Sequence, residues 1–378
     1  MMTGPTKLLR ELIALPSVNP AFLPLHDERA GEKRVADFLA GIARQAGLEV
    51  TQQEVFPNRA NLCIRLRPSG TIRQRVLLAP HMDTVGASSA EQFTPLLKNG
   101  RLYGRGACDT KGSVALMLSA LLELARAGAR PEQTEILFVA LVDEECGQTG
   151  SRALAKSRCR ADLAIVGEPT RLQVVTAHKG DLWLQLETQG KAAHGSRPEL
   201  GRNAVHLMAR IVHLLETDYA LLLRRRRHPL LRHPTINVGT IAGGRQPNIV
   251  PDRCIIKIDR RTIPGESDPA VKHEILRFIR RRGLSATMLD NKSGEPAPPL
   301  ETDPRLPLVR EFLRCAGQRK PVGVDFFTDA GVLAASGIPS VVFGPGDIAQ
   351  AHTADEWVAV NQLERGTRLL VRFLRALA

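Results

Sequence analysis

The chain has 378 residues, 43% of them hydrophobic and 24% charged. That length exceeds what one compact core usually holds, so two domains are expected, and no apolar run reaches the roughly 18 residues of a membrane span. The formal net charge of +13 raises nucleic-acid binding, but only 4% of residues are aromatic, which leaves few stacking platforms. Arginine outnumbers lysine throughout, so the densest run, Arg224 to Arg227 before His228, reads as a solvated helix end. Neither nucleic acid nor a membrane is expected as a partner.

Met1 to Pro16 reads as a polar start followed by a short amphipathic helix, without the pattern of a signal peptide. The cysteines, at 63, 108, 146, 159, 254 and 315, form no CxxC pair, so reduced thiols in the cytoplasm are expected. Asp27 to Ala46 has helical periodicity. Arg75 to Ala79 is a short apolar run, Lys111 to Ala127 an apolar helix, and Glu135 to Val142 and Leu163 to Val166 are further apolar runs. Apolar runs separated by helices predict an α/β fold, a mostly parallel sheet with helices on both faces.

The pattern then changes. Asp181 to Gln189 alternates (Leu182, Leu184, Leu186), Gly201 to Glu216 reads as a helix, and Thr235 to Ile241 and Cys254 to Asp259 read as strands. Pro269 to Arg281 reads as a helix and Ser285 to Leu289 as a strand, which together predict an α+β insertion. Ser293 to Pro299 has the composition of a return linker. Helix Asp303 to Ala316, strand Ser340 to Phe343 and helix Gln362 to Leu377 resume the first pattern. The expected division is therefore 1–179, an insertion over 180–293, and 294–378.

Acidic residues and histidines stand where the predicted strands end, the edge at which open α/β sheets bind ligands. Val76 to Ala79 leads into His81 and Asp83, Ile136 to Val142 into Asp143, Glu144 and Glu145, and Leu163 to Val166 into Glu168. Ser340 to Phe343 leads into Gly344-Pro345-Gly346 and on to His352, and the glycine-rich loop from Gly104 to Asp109 precedes a helix. Crowded carboxylates repel one another, and a divalent cation removes that cost. Imidazole with carboxylate suits zinc, with cobalt or manganese as alternatives. Five candidate ligands suffice for two ions sharing a bridge. Singly, each has a plainer reading: a satisfied core histidine, a helix cap at Asp109, a solvated acidic loop, a turn residue at Glu168.

Five ordered segments carry a resemblance: Pro80-His81-Met82-Asp83-Thr84-Val85, Gly104 to Gly112, Asp143-Glu144-Glu145, Gly167-Glu168-Pro169-Thr170 and Ala351-His352-Thr353. They resemble the zinc peptidase and deacylase family that includes acetylornithine deacetylase, succinyl-diaminopimelate desuccinylase, aminoacylase and glutamate carboxypeptidase. The resemblance implies two zinc ions, with His81, Asp109 as the bridge, Glu145, Glu168 and His352 as ligands. Glu168 is a position where some members carry Asp. It further implies that Asp83 orients His81 and that Glu144 is the general base.

In the insertion, Ala192-Ala193-His194-Gly195-Ser196 resembles a segment whose histidine reaches the reacting carbonyl, often from a partner subunit, which implies a lid and a homodimer. Asn248 resembles a residue that assists there, and Arg261, with Arg260 as its rival, one that grips a substrate carboxylate; the Gly344 turn could offer backbone N–H groups to the same group. The implied activity is hydrolysis of an amide in a small N-acyl amino acid with a free carboxylate, nearest the deacetylase and desuccinylase. The alternatives are a dipeptidase or carboxypeptidase and a non-catalytic binding protein on the same fold. No G-x-S-x-G elbow supports a serine hydrolase. Histidines 178, 206, 213, 228, 233 and 273 read as structural or surface residues, and Lys179 as part of a hinge.

Overall fold

A computed structural model describes residues 4–157, 159–289 and 295–377. Two compact units emerge: Met1–Ala177 with Glu301–Gly323 and Thr328–Ala378, and His178–Leu300 with Val324–Phe327. The boundary expected at 293/294 lies outside the described residues, as does the start of the linker expected over 293–299.

The first unit is built on a mixed sheet. Its successive strands are Glu49–Phe56, Arg59–Leu66, Thr134–Ala140, Gln74–Pro80, Leu163–Gly167, Ser340–Val342 and Val175–His178. The central four, from Thr134–Ala140 to Ser340–Val342, run parallel, while the Glu49–Phe56 hairpin and Val175–His178 join antiparallel. Every residue of Thr134–Ala140 is buried, which is why these strands read as unbroken apolar runs rather than alternations. Helix Lys111–Arg126 is apolar nearly all round and lies in the same core, with Pro5–Ile13 and Val360–Arg375 against it. No helix among the described residues is long and apolar enough to cross a membrane.

The second unit is an antiparallel sheet in the order Thr235–Gly243, Arg253–Thr262, Gly180–Gln189, Thr287–Leu289. Leu182, Leu184 and Leu186 point into its core with Ile256, Ile258, Ile275 and Ile279, and Trp183 between them is half-exposed.

Several boundaries shift for local reasons. The helix expected from Asp27 begins at Lys33, because the Asp27 carboxylate accepts from the Arg29 backbone and closes a turn. The helix expected from Gly201 begins at Ala204, because Asn203 accepts from the His206 N–H as an N-cap. It continues past Glu216 through a π-turn, Leu215–Tyr219, into Ala220–Arg224. The helix expected from Asp303 starts at Pro307, where proline suits the first turn. The hairpin of Glu49–Phe56 and Arg59–Leu66 and the small sheet of Leu96–Lys98, Arg101–Tyr103 and Trp357–Ala359 were not anticipated.

Candidate metal centre

Parallel strands deliver the acidic and imidazole groups to one end of the sheet. Gln74–Pro80 and Thr134–Ala140 are neighbours in register, and the pairing extends to a bridge between His81 and Leu141. His81 therefore lies beside the turn carrying Glu144 and Glu145. Asp143 takes a positive φ of 68°. Its carboxylate accepts from Asn19, Arg59 and Thr149, and its N–H donates to Glu32.

Asp109 occupies the middle of the site. Its Oδ1 lies 3.2 Å from His81 Nε2, and its Oδ2 lies 3.2 Å from His352 Nε2. Glu168 approaches the same His81 nitrogen at 3.7 Å and Glu144 at 3.9 Å. On the other side Glu145 lies 3.1 Å from His352 Nε2 and accepts from the Val85 N–H. One carboxylate thus divides its two oxygens between two imidazoles, each with a further glutamate. Ligand-type atoms of His81, Asp109 and Glu145, and of His81, Glu144 and Glu168, lie within 4.8 Å of one another. Asp83, fully buried, lies 3.3 Å from His81 Nδ1 and accepts from the backbone N–H groups of Glu144 and Glu145.

The groups of the cluster shift one another strongly. Burial, then the charge of Asp109, pushes the Glu145 carboxyl up to about 7. Burial and the same neighbour push Glu168 well up, and burial with Glu168 nearby does so for Glu144. Asp109 and Glu145 hold the His352 imidazolium to about 10. Burial works against protonating His81, but its hydrogen bonds to Asp109 and Asp83 outweigh that and raise it. A divalent cation offsets the repulsion among such carboxylates, and imidazole nitrogens with carboxylate oxygens are donors that zinc accepts. His352, with its side chain 54% exposed, leaves the site open on its side.

The residues expected from the insertion lie in the second unit. His194 forms a bridge with Ile249, and the Gly195 N–H donates to the Asn248 carbonyl at 2.7 Å, so the segments of His194 and Asn248 run together. A Cβ on Gly195 would sit 2.9 Å from the Asn248 backbone, which explains the glycine. His194 Nδ1 accepts from the Ser196 N–H and pairs with its hydroxyl at 2.7 Å. This leaves the ring proton on Nε2, free to donate. Arg261 pairs through two nitrogens with Asp259 at 2.9 Å each. Its rival Arg260 is fully buried and committed to Glu266 and the Arg261 carbonyl.

Gly344 lies in a hydrogen-bonded turn of the first unit. Its N–H donates to Thr170 Oγ1 at 3.1 Å, Pro345 has none, and the Gly346 N–H donates to Gln362 at 2.8 Å. Of the run from Arg224 to Arg227, Arg226 is tied to Glu266 and Glu274 while its neighbours are exposed, in keeping with a helix end.

Two buried carboxylates escaped the sequence. Asp329 accepts from Ser151 at 2.5 Å and from Gln148, and burial raises it to about 6. Glu356 binds the backbone of the loop that carries Asp109. Neither stands at a predicted strand end, and the partners of each are far away in sequence. The one signal that could have drawn attention to Glu356 is its place four residues beyond His352.

The sequence profile of Peptidase family M20/M25/M40 matches residues 77–376. An acetylornithine deacetylase from Myxococcus xanthus is 34% identical over 375 residues, covering 96% of this chain and 95% of that protein. One from Proteus mirabilis (strain HI4320) is 31% identical, covering 96% and 94%. Among solved structures, aminopeptidase PepT from Bacillus cereus ATCC 10987 superposes with a TM-score of 0.78 at 23% identity, covering 99% of this chain and 98% of that one. An M20 family metallo-carboxypeptidase from Sulfolobus solfataricus gives 0.76 at 19% identity, covering 98% of each, and both likenesses bear on the fold alone. The split of Asp109 between two imidazoles thus stands within a match across nearly the whole sequence, and the chain belongs to Peptidase family M20/M25/M40 and is a hydrolase.

Proposed function

We propose that this chain is a di-zinc deacylase that hydrolyses the amide of a small N-acyl amino acid, of the acetylornithine deacetylase or desuccinylase type. The observation that supports it best is Asp109, one oxygen toward His81 and the other toward His352. In this reading His81, Asp109 and Glu168 hold one ion, and His352, Asp109 and Glu145 the other. Cobalt or manganese would suit the same donors. A bound pair supplies a water acidified to near neutrality and polarisation of the substrate carbonyl.

The chain's own residues do the rest. Glu144, next to the ligand Glu145, takes a proton from the attacking water and returns it to the leaving amine nitrogen. Asp83 fixes the His81 ring and the turn that presents Glu144. His194 donates its Nε2 proton to the oxyanion, Asn248 assists beside it, and Arg261 exchanges Asp259 for a substrate carboxylate. The second unit acts as lid and dimerisation domain, and His194 is supplied either within its own subunit or to the partner.

Deacylation is favoured over a dipeptidase or carboxypeptidase because the deacetylase relatives are the more similar in sequence. A binding protein that had lost catalysis is expected to have lost Glu144 or a ligand, and all six are present. Glu144→Ala should lower turnover of N-acetyl or N-succinyl amino acids by at least about 100-fold while metal analysis still finds about two zinc ions per chain. Retained turnover would reject the assignment. Mixing His194→Ala with Glu144→Ala should restore some activity if the histidine acts across a dimer.

A further inference from the structure

Glu356 is almost wholly buried, and among the described residues the hydrogen bonds its carboxylate accepts come from the loop ahead of helix Lys111–Arg126. Its Oε1 accepts from the N–H groups of Cys108 at 2.8 Å and Asp109 at 2.9 Å. Its Oε2 accepts from the Gly106 N–H at 3.0 Å and from Arg105 at 2.7 Å. Its backbone carbonyl accepts from the Gly104 N–H. Four donors on two oxygens is a demand only a carboxylate meets, because an amide would turn an NH2 group against two of them.

Glu356 also stands four residues after His352. Gln92 fastens the stretch between them, donating to the carbonyls of Thr353 and Ala354, while its own carbonyl accepts from the Arg105 N–H. Beyond Glu356, Trp357–Ala359 pairs antiparallel with Arg101–Tyr103. The segment of His352 and the segment of Asp109 are therefore sewn together from both directions, with Glu356 at the middle. The other imidazole, His81, is positioned independently, by its strand and by Asp83.

We infer that Glu356 is a positioning residue for the metal pair that acts unequally on its halves: it ties the Asp109 loop to the His352 segment, so it governs how His352 meets Asp109 and Glu145 more than it governs the His81 and Glu168 half, which shares only Asp109 with it. The inference rests on the two-ion reading above. Removing Glu356 frees the His352 segment from the Asp109 loop, so the ion held by His352 suffers more than the ion held by His81 and Glu168, which stand at the ends of adjacent strands.

The test is calorimetric titration of the metal-free chain with Co2+, with the visible absorption of the bound ions recorded alongside. The unmodified chain should take up two ions. Glu356→Gln should bind the first as the unmodified chain does and the second about 10- to 100-fold more weakly, the usual loss for a group one step behind a ligand. Its one-ion spectrum should match that of His352→Ala. Equal loss of both ions, or two ions bound with unchanged affinity, overturns the inference while leaving the two-ion reading standing. Fewer than two ions on the unmodified chain overturns the two-ion reading and the inference with it. Should Glu356→Gln fail to fold, hydrogen exchange on the unmodified metal-free chain decides: the amides of Gly106, Cys108 and Asp109 must be slow, and rapid exchange there overturns the proposal.

Discussion

Asp83 shows how much one side chain organises here. Its Oδ1 faces His81 and accepts from the Glu144 N–H, while its Oδ2 accepts from Asn19 and from the Glu145 N–H. Asp83→Asn keeps the volume but sets an NH2 group against one of those donors. The expected result is a zinc affinity about 10- to 100-fold lower, read by calorimetry, with the fold preserved by circular dichroism. A second residue predicts a pH dependence. Burial holds the neutral His178 ring to a pKa of about 4, below its ordinary 6.5. The unfolded chain then binds more protons than the folded one between those values, so this contribution is complete above about 6.5 and lost as pH falls toward 4. Urea titrations at pH 7.5 and 5 should show His178→Gln losing less stability on acidification than the unmodified chain, by on the order of 1–3 kcal/mol. At this scale the sequence was most legible where ligand-type residues end apolar strands. It was silent on Asp329 and Glu356, whose roles exist only once distant segments meet.

The elements were legible in proportion to their burial. Leu163–Gly167 and Gln74–Pro80 are apolar because both faces are covered, and the runs marked them to within a residue or two. Glu49–Phe56, polar and largely exposed, carries no such run, and the three-residue strands are too short for any period. Caps such as Asn203 set helix ends that periodicity alone placed two or three residues away. Close approach between elements is testable at Gly150, near the start of helix Thr149–Lys156. A Cβ there would lie 2.3 Å from the Val142 carbonyl oxygen and 2.6 Å from Asn61 Oδ1. Asn61 donates to the Gly150 carbonyl and accepts from the Val142 N–H, joining the hairpin to the turn that leads into Glu144. Gly150→Ala should therefore cost about 1–3 kcal/mol in urea unfolding and lower turnover by displacing that turn.

At the scale of the whole molecule, all five proposed ligands lie in the first unit. Zinc binding should stabilise that unit by about 2.7 kcal/mol when free zinc stands at 100 times its dissociation constant. Calorimetric scans with and without zinc should show the transition of the first unit moving upward, and His352→Ala should reduce the shift. Its ligands come from both sides of the second unit in sequence: His81 and His352 meet at Asp109, although residues 178–300 intervene. A chain growing on the ribosome therefore presents its acidic turn long before the last imidazole is made, a delay on the order of ten seconds or more at ordinary translation speed. Products cut short before residue 352 should be inert, so the hydrolase stays silent until that imidazole has been made.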